Sequence, residues 1–429
     1  MSPLLILIIF IVSYLVIMSE KMNRALAAGI GGVCMLFVGL YDIEAALFHH
    51  IDWNTIALLF SMMIIVNICS KTGMFEYTAI YLAQIVNGQG FSLLVVFSLL
   101  AAVGSAFLAN VTIAMLLVPI LFTLTKLLDL PPVPYLISMI LACNIGGTAT
   151  LIGDPPNMMI GQAVKHLTFN AFLVNLTPVV IIVFLFVLLV LAYLYRKELQ
   201  VAPDKQLLLK TIKPSTYIKK NGALIQSIAV LLCTTVGFVC YPFLHVDLTT
   251  IALAGALLLL FLTEPIYDTD DILKEVEWGT LFFFVGLFLL VGGLEEAGFI
   301  DELARKIIYV TEGDMKTTSI FILWSTGILS GFIDNIPFVA AMIPIIQEFK
   351  EFGMVNIDPL WWSLSLGACL GGNGTLLGSS SNLVIAGLAS KEKVQIQFRE
   401  FLFIGFPIVI FSLLISTIYI YFRYLGDFV

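Results

Sequence analysis

The sequence predicts an all-α polytopic membrane protein made of two inverted-topology repeats, with re-entrant hairpins and interrupted helices. Three observations carry that prediction. Of 429 residues, 60% are hydrophobic and only 12% are charged. Apolar runs of about twenty residues recur along the whole length, long enough to cross a bilayer as a helix, so about 10–12 transmembrane segments are expected. The chain also matches itself without a gap when shifted by 225 residues. Finally, two polar breaks interrupt the apolar runs of each copy.

An apolar chain matches itself often at Leu and Ile, but not by chance at Trp, Asn, Pro and paired Gly. At this offset Trp53 falls on Trp278, Ser105 on Ser330, Asn110 on Asn335 and Pro119 on Pro344. Gly146, Gly147, Thr150, Gly153 and Asn157 fall on Gly371, Gly372, Thr375, Gly378 and Asn382. The first repeat is 1–197, the second 222–429, and a basic connector, 198–221, joins them.

Within the first repeat the elements follow in order. Residues 1–19 lack a basic start and a small-residue cleavage site, and read as a retained span at 3–19. Spans at 24–40 and 53–72 follow. Two apolar arms, 91–128, flank a polar tip at 109–112, and either cross twice or form a re-entrant hairpin. Residues 133–165 form a span interrupted at 143–157, and 170–195 form the last. The second repeat carries its tip at 334–337 and its interruption at 369–382. The number of crossings per copy is odd, which turns the second copy upside down, as in secondary transporters. Placing the connector in the cytoplasm, with Arg196, Lys197, Lys205, Lys210, Lys213, Lys219 and Lys220, puts most of the 21 Lys and Arg on that side. Both termini then lie outside.

Several function classes are excluded. Basic runs are too short for nucleic acid. Six cysteines without a CxxC pair give neither a disulfide framework nor a zinc site. A Walker motif, a strand-associated GxGxxG and HExxH are all absent. A membrane enzyme would need a nucleophile–base pair or metal cluster within the spans, and no such set is visible. No cofactor is expected beyond a coupling ion, H+ or Na+.

The breaks carry the chemistry. Irregular backbone at membrane depth is tolerated only inside protein or around a wet cavity. Broken helices offer free carbonyls to a cation, and free N–H groups to an anion. The tips read SAFLANVTIAMLLVP and SGFIDNIPFVAAMIP; the interruptions read CNIGGTATLIGDPPNMMI and CLGGNGTLLGSSSNLVI. Asp334 and Asp154 are carboxylates inside such breaks, hence candidate sites for Na+ or a proton, with Asp334 expected as the main coupling carboxylate. Pro337 is expected to break the helix beside Asp334, and Pro155 and Pro156 to start a half-helix. Asp52, Glu277, Glu76, Asp301, Glu295 and Glu296 lie near span ends and read as interfacial caps. His49 and His50 read as solvated loop residues. Cys143 and Cys369 border the interruptions and could meet a thiophilic solute.

These segments resemble the ion transporter superfamily that includes the ArsB arsenite permeases, the NhaD sodium/proton antiporters, the melanosomal P protein and the divalent-anion/sodium symporters. SGFIDNIPFVAAMIP, LGACLGGNGTLLGSSSN, NIGGTATLIGDPPNMMI and VEWGTLFFFVGLF are similar to the ArsB/P-protein branch over nearly the whole chain. The resemblance implies a scaffold domain, a mobile transport domain, a homodimer in a bacterial cytoplasmic membrane and elevator-like alternating access. A soluble ATPase subunit is a further expected partner. The dicarboxylate relatives bind sodium and substrate at a Ser-Asn-Thr motif on each tip. Here Asn110 and Thr112 match the first tip, with Ala109 in the Ser position. Asn335 matches the second, with Asp334 for Ser and Pro337 for Thr. Gly147, Thr148 and Thr150 match the first interruption, and Asn373, Gly374 and Thr375 the second. Asp154, Asn157, Ser379 and Asn382 complete the candidate set, with Na+ expected at Asp334, Asn335 and Asn110. Relatives of the P-protein type carry Asp-Asn at both tips, so Ala109 removes one charge. The resemblance implies an ion-coupled carrier of a small inorganic solute, arsenite or antimonite exported against H+. Sodium/proton antiport and cation-coupled transport of a carboxylate or other anion are the alternatives.

Overall fold

The structure, a computed structural model, describes residues 3–19, 21–39, 42–219, 222–244 and 246–426. Lys220 of the basic connector lies outside them. Among the described residues every regular element is helical. The principal helices of the first half are α1 (Pro3–Ser19), α2 (Arg24–Phe37), α3 (Trp53–Lys71), α4 (Met74–Ile85), α5 (Gly90–Phe107), α6 (Asn110–Leu128), α7 (Val133–Thr148), α8 (Pro155–Ala163) and α9 (Phe169–Tyr195). Those of the second are α10 (Gly222–Leu244), α11 (Leu248–Thr263), α12 (Trp278–Glu296), α13 (Phe299–Thr311), α14 (Met315–Ser330), α15 (Asn335–Glu351), α16 (Asp358–Gly371), α17 (Ser380–Lys391) and α18 (Phe398–Ile420). From α3 to α8, each helix starts 225 residues before its counterpart, with no slippage.

Seven of these helices are long and apolar enough to cross a membrane: α3, α5, α6, α9, α10, α12 and α18 with its π-helical extension to Leu425. Shorter apolar helices at Leu4–Ser19, Arg24–Phe37, Val133–Thr148 and Leu248–Thr263 accompany them. The chain is an integral membrane protein. Packing between the halves is reciprocal. Helix α2 lies on α12 and α11 on α3; α8 lies on α15 and α17 on α6. The interrupted helices α7 and α16 meet in the middle. Such pairing places all four breaks in one buried zone.

The sequence pattern did not anticipate α4 and α13. Each starts directly after a glycine in the left-handed region, Gly73 (φ 78°) and Gly298 (φ 76°), which turns the chain sharply at the end of a span. Both helices are short, and α13 is rich in charge, so neither shows as an apolar run. The predicted ends of the spans at 40 and 72 also shorten, to Phe37 and Lys71.

His49 is exposed, as expected, but His50 differs from expectation. They close a π-helical turn, Ala46–His50. The His50 ring is buried over Gly292 of α12, a position where a side chain would occupy its space. Its nitrogens lie 3.5 Å from Glu296 Oε1 and 3.9 Å from Glu295 Oε2. Those glutamates therefore face the His50 ring rather than capping a helix end. Asp52 does act as a cap, accepting from Asn54 N at 3.0 Å and Thr55 N at 3.2 Å. Glu277 makes no cap bond and accepts from the Thr280 hydroxyl instead, at 3.1 Å.

Candidate functional site

The first tip is narrower than the sequence suggests, and the second lies earlier in the chain. Helix α5 stops at Phe107, Leu108 and Ala109 are extended, and α6 begins at Asn110. Helix α14 stops at Ser330 and α15 begins at Asn335. Asn110, Thr112 and Asn335 thus sit in first helical turns. Pro337 is the third residue of α15, where an N–H would have no intrahelical partner, so it fits the helix start and breaks nothing. The break is made by 331–334. Its last residue, Asp334, caps α15 by accepting from Ile336 N at 3.3 Å. Ala109 offers no such bond.

The interruptions are shorter too. Helix α7 continues through Gly147 to Thr148, and α16 through Gly371. The irregular stretches are 149–154 and 372–379, the latter with a 3-10 turn at Leu376–Gly378. Pro155 and Pro156 open α8, as expected. Close backbone contact explains the paired glycines. A Cβ on Gly146 would lie 2.0 Å from Ala102 O, and one on Gly371 would lie 2.5 Å from Gly327 O. These helices can approach α5 and α14 only without side chains there.

Two asparagines stitch the breaks in the same way. Asn157 Nδ2 donates to Thr148 O at 3.2 Å and Thr150 O at 2.9 Å; Asn382 Nδ2 donates to Gly372 O at 2.8 Å and Thr375 O at 3.0 Å. Buried carbonyls left by a broken helix must find donors, and these amides supply them. Ser365 donates to Asn157 Oδ1 at 2.6 Å. The Thr148 hydroxyl donates to Asn144 O at 2.7 Å, and that of Thr150 to Ala106 O. Thr375 Oγ1 accepts from Leu377 N at 3.1 Å. The predicted binding residues Asn157, Thr148, Thr150, Thr375 and Asn382 are therefore engaged in holding backbone.

At the centre is Asn144, a residue that sequence reasoning missed. Its Nδ2 donates to Asn373 Oδ1 at 2.9 Å and Asn382 Oδ1 at 3.0 Å. Its Oδ1 accepts from Ser381 at 3.2 Å and, over a long 3.5 Å, from Asn110 Nδ2. One side chain thus ties both interruptions to the first tip. Its repeat counterpart is Cys369, so a search for matched pairs passes over it; full burial of an amide beside Gly-Gly is the signal that would have found it. Asn373 Nδ2 adds a bond to Leu141 O at 3.3 Å.

Two oxygens remain for a ligand. Asn110 Oδ1 is buried with no hydrogen-bond partner among the described residues, and a Cβ on Gly147 would crowd it at 2.8 Å. Asp154, buried at 3% exposure, accepts from Asn335 Nδ2 at 3.2 Å and forms no ion pair among the described residues. Across the site, the Cys369 thiol faces Asn157 Oδ1 at 3.7 Å. Asp334 lies apart from Asp154 in chemistry, because Arg24 Nη1 pairs with its Oδ2 at 3.2 Å. Arg24, at the first turn of α2, is the second residue the sequence reading missed. Its repeat counterpart, the first residue of α11, is Leu248, so it too escapes a matched-pair search. Thr112 is buried but outside this polar network, Gly374 packs by its backbone against Gly331, and Ser379 meets Ser381 at 3.0 Å.

Comparison with known proteins follows this geometry closely. The model of the family described as citrate transporter (CitMHS) matches residues 14–367. An uncharacterized transporter of Mycobacterium tuberculosis is 36% identical over 97% of both chains. The P protein of Sus scrofa is 33% identical over 95% of this chain, which spans 58% of that protein's length. Among solved structures, the Alcanivorax borkumensis YdaH transporter, described as having an unusual topology, aligns over 97% of both chains with a TM-score of 0.57 at 12% identity.

Proposed function

The chain belongs to the citrate transporter family and is a secondary transporter, and we propose that it moves a small inorganic solute, arsenite or antimonite, outward in exchange for H+. The observation that carries this reading is the charge balance of the site. Asp154 and Asp334 face it with one guanidinium, Arg24, which is held by Asp334. A tricarboxylate such as citrate would meet carboxylates with no free cation among the described residues to receive it, at a high cost in a low-dielectric setting. A neutral trihydroxide such as arsenous acid meets amide oxygens, hydroxyls and a buried thiol instead.

Asp154 is the coupling carboxylate of this reading. It is buried, hydrogen-bonded by a tip residue, and pairs with no cation among the described residues. Asn110 Oδ1 and Asn335 complete the polar wall around the solute, with Asn373, Gly374 and Thr375 opposite. Alternating access moves the hairpins and interrupted helices against α1, α2, α3 and their counterparts, as an elevator. The reciprocal packing of α2 on α12 and α11 on α3 supports a second copy inverted about a pseudo-twofold axis. We place the 198–221 connector in the cytoplasm of a bacterial inner membrane, and the functional unit as a homodimer.

Sodium/proton antiport is the second reading, favoured by the oxygen-rich surroundings of Asp154 and Asn110. Arsenite accumulation in everted vesicles with an imposed inside-acid gradient tests the first. Uptake that collapses with the gradient supports it. No arsenite uptake, with Na+ moving against protons in the same vesicles, establishes the second.

A further inference from the structure

Arg24 touches three features that no helix end requires. Its Nη1 meets Asp334 Oδ2 at 3.2 Å, its Nη2 reaches Thr280 Oγ1 at 3.4 Å, and its guanidinium carbon lies 5.4 Å from the centre of the Phe283 ring. It therefore lies between two oxygens, one from the second tip and one from α12. Nearby, the Tyr14 hydroxyl donates to Pro337 O at 2.6 Å. Arg24, Tyr14 and Asp334 line a cavity of about 270 Å³ that also holds Ser380 of α17. Helices α1 and α2 thus grip the second tip by two polar contacts.

The first tip has no such grip. Asp334 becomes Ala109 at the 225-residue offset. Helices α2 and α11 start 224 residues apart, so Arg24 answers Leu248. Tyr14, next to the Ser13 that meets Gly31, answers Thr235, next to the Thr234 that meets Gly255. Leu248 brings no charge, and its neighbour Thr249 is engaged elsewhere, donating to Asn54 O at 3.1 Å and accepting from Gln162 at 3.2 Å. All three members of the set are present at one tip and all three are replaced at the other. Independent surface charges have no reason to behave so. A mutually dependent set does, because a half-buried Asp without its Arg, or the reverse, leaves a charge unpaired.

We propose that Arg24 is a tethered counter-cation at the second tip: its guanidinium takes the place between Asp334 and Thr280 that a soluble Na+ would otherwise fill. The second tip then carries a permanent cation supplied by the scaffold helices and gains none from solution, while exchange of soluble ions is left to Asp154. The same pair latches the second tip to α2, so any travel of that tip must break it. This deepens the transport reading above, and rests on it for the role of the tips.

Protein melting in detergent, read in NaCl against choline chloride at constant ionic strength, tests the proposal without a transported solute. Arg24→Ala is expected to acquire a Na+-specific rise of several degrees in melting midpoint over that of the wild type. Arg24→Ala/Asp334→Asn is expected to lose that gain, and Arg24→Lys, which keeps a tethered cation, never to acquire it. If Arg24→Ala does not fold, Arg24→Gln serves in its place. A Na+ response in Arg24→Ala or Arg24→Gln equal to that of the wild type would overturn the proposal. So would a gain that survives the second substitution. Failure of arsenite transport, by contrast, would leave these melting results as they stand.

Discussion

At the first tip Ala109 leads into Asn110 with no side chain to cap the helix, and the amide oxygen of Asn110 points into the protein without a partner among the described residues. At the second, Asp334 caps α15, holds Arg24, and leaves Asn335 to reach Asp154 across the site. The backbone around these two tips is nearly one design used twice: helices start at the same offset, and glycines meet backbone at matched positions. The side chains are not. Duplication fixed the shape, where a misplaced methyl is intolerable, and left the charges free to diverge, where one substitution alters only which ion is held.

That contrast can be broken experimentally. The largest effect is expected on transport: Asp154→Asn should abolish gradient-driven flux in vesicles, whereas its counterpart Ser379→Asn should retain most of it. Equal losses would mean that both interruptions carry the coupling ion. Next come Gly146→Val and Gly371→Val, each forced against a backbone oxygen. Both should destabilise by about 3 kcal/mol or more, the upper end of overpacking costs, and by similar amounts in a thermal melt. A tolerated valine at either site would show that the shapes differ after all. Asn144→Ala strands the amide oxygens of Asn373 and Asn382 and should cost about 1–3 kcal/mol. Cys369→Ala, at the matching position, should cost less, since a thiol has weaker bonds to lose. Smallest is the cap pair: Asp52→Ala should lower stability by about 1 kcal/mol, and Glu277→Ala, which removes no cap bond, by a fraction of that.

Much of this arrangement was legible in the amino-acid order. Repeated Trp, Asn and Gly-Gly at one offset located both tips and both interruptions to within a few residues, because each residue type answers a backbone demand that only it meets. The same method was blind wherever the copies differ. Asn144 and Arg24 answer to Cys369 and Leu248 across the repeat, so the hub of the amide network and the partner of Asp334 had no matching signal. His50 was misread for a related reason: its burial depends on the bare surface of Gly292, more than two hundred residues away in sequence. Helices α4 and α13 were passed over because a search for apolar runs does not register a short amphipathic helix.

The connector has a consequence of its own. Gln84 Nε2 donates to Leu209 O at 2.9 Å and Ile212 O at 2.6 Å, Lys219 N donates to Thr72 O at 3.1 Å, and a side chain on Gly73 would strike Tyr217 O. Every one of these contacts is with the first half. Gly298, the counterpart of Gly73, has open space around it. One contact reaches the second half, where Lys219 Nζ lies 5.9 Å from the centre of the Tyr267 ring. The segment is thus a cover sewn chiefly onto one partner. A gene divided just downstream of it would yield a first product that keeps most of the connector's contacts and a second that gives up little of its own surface, the two pieces free to find each other through the reciprocal seams of α2, α12, α11 and α3.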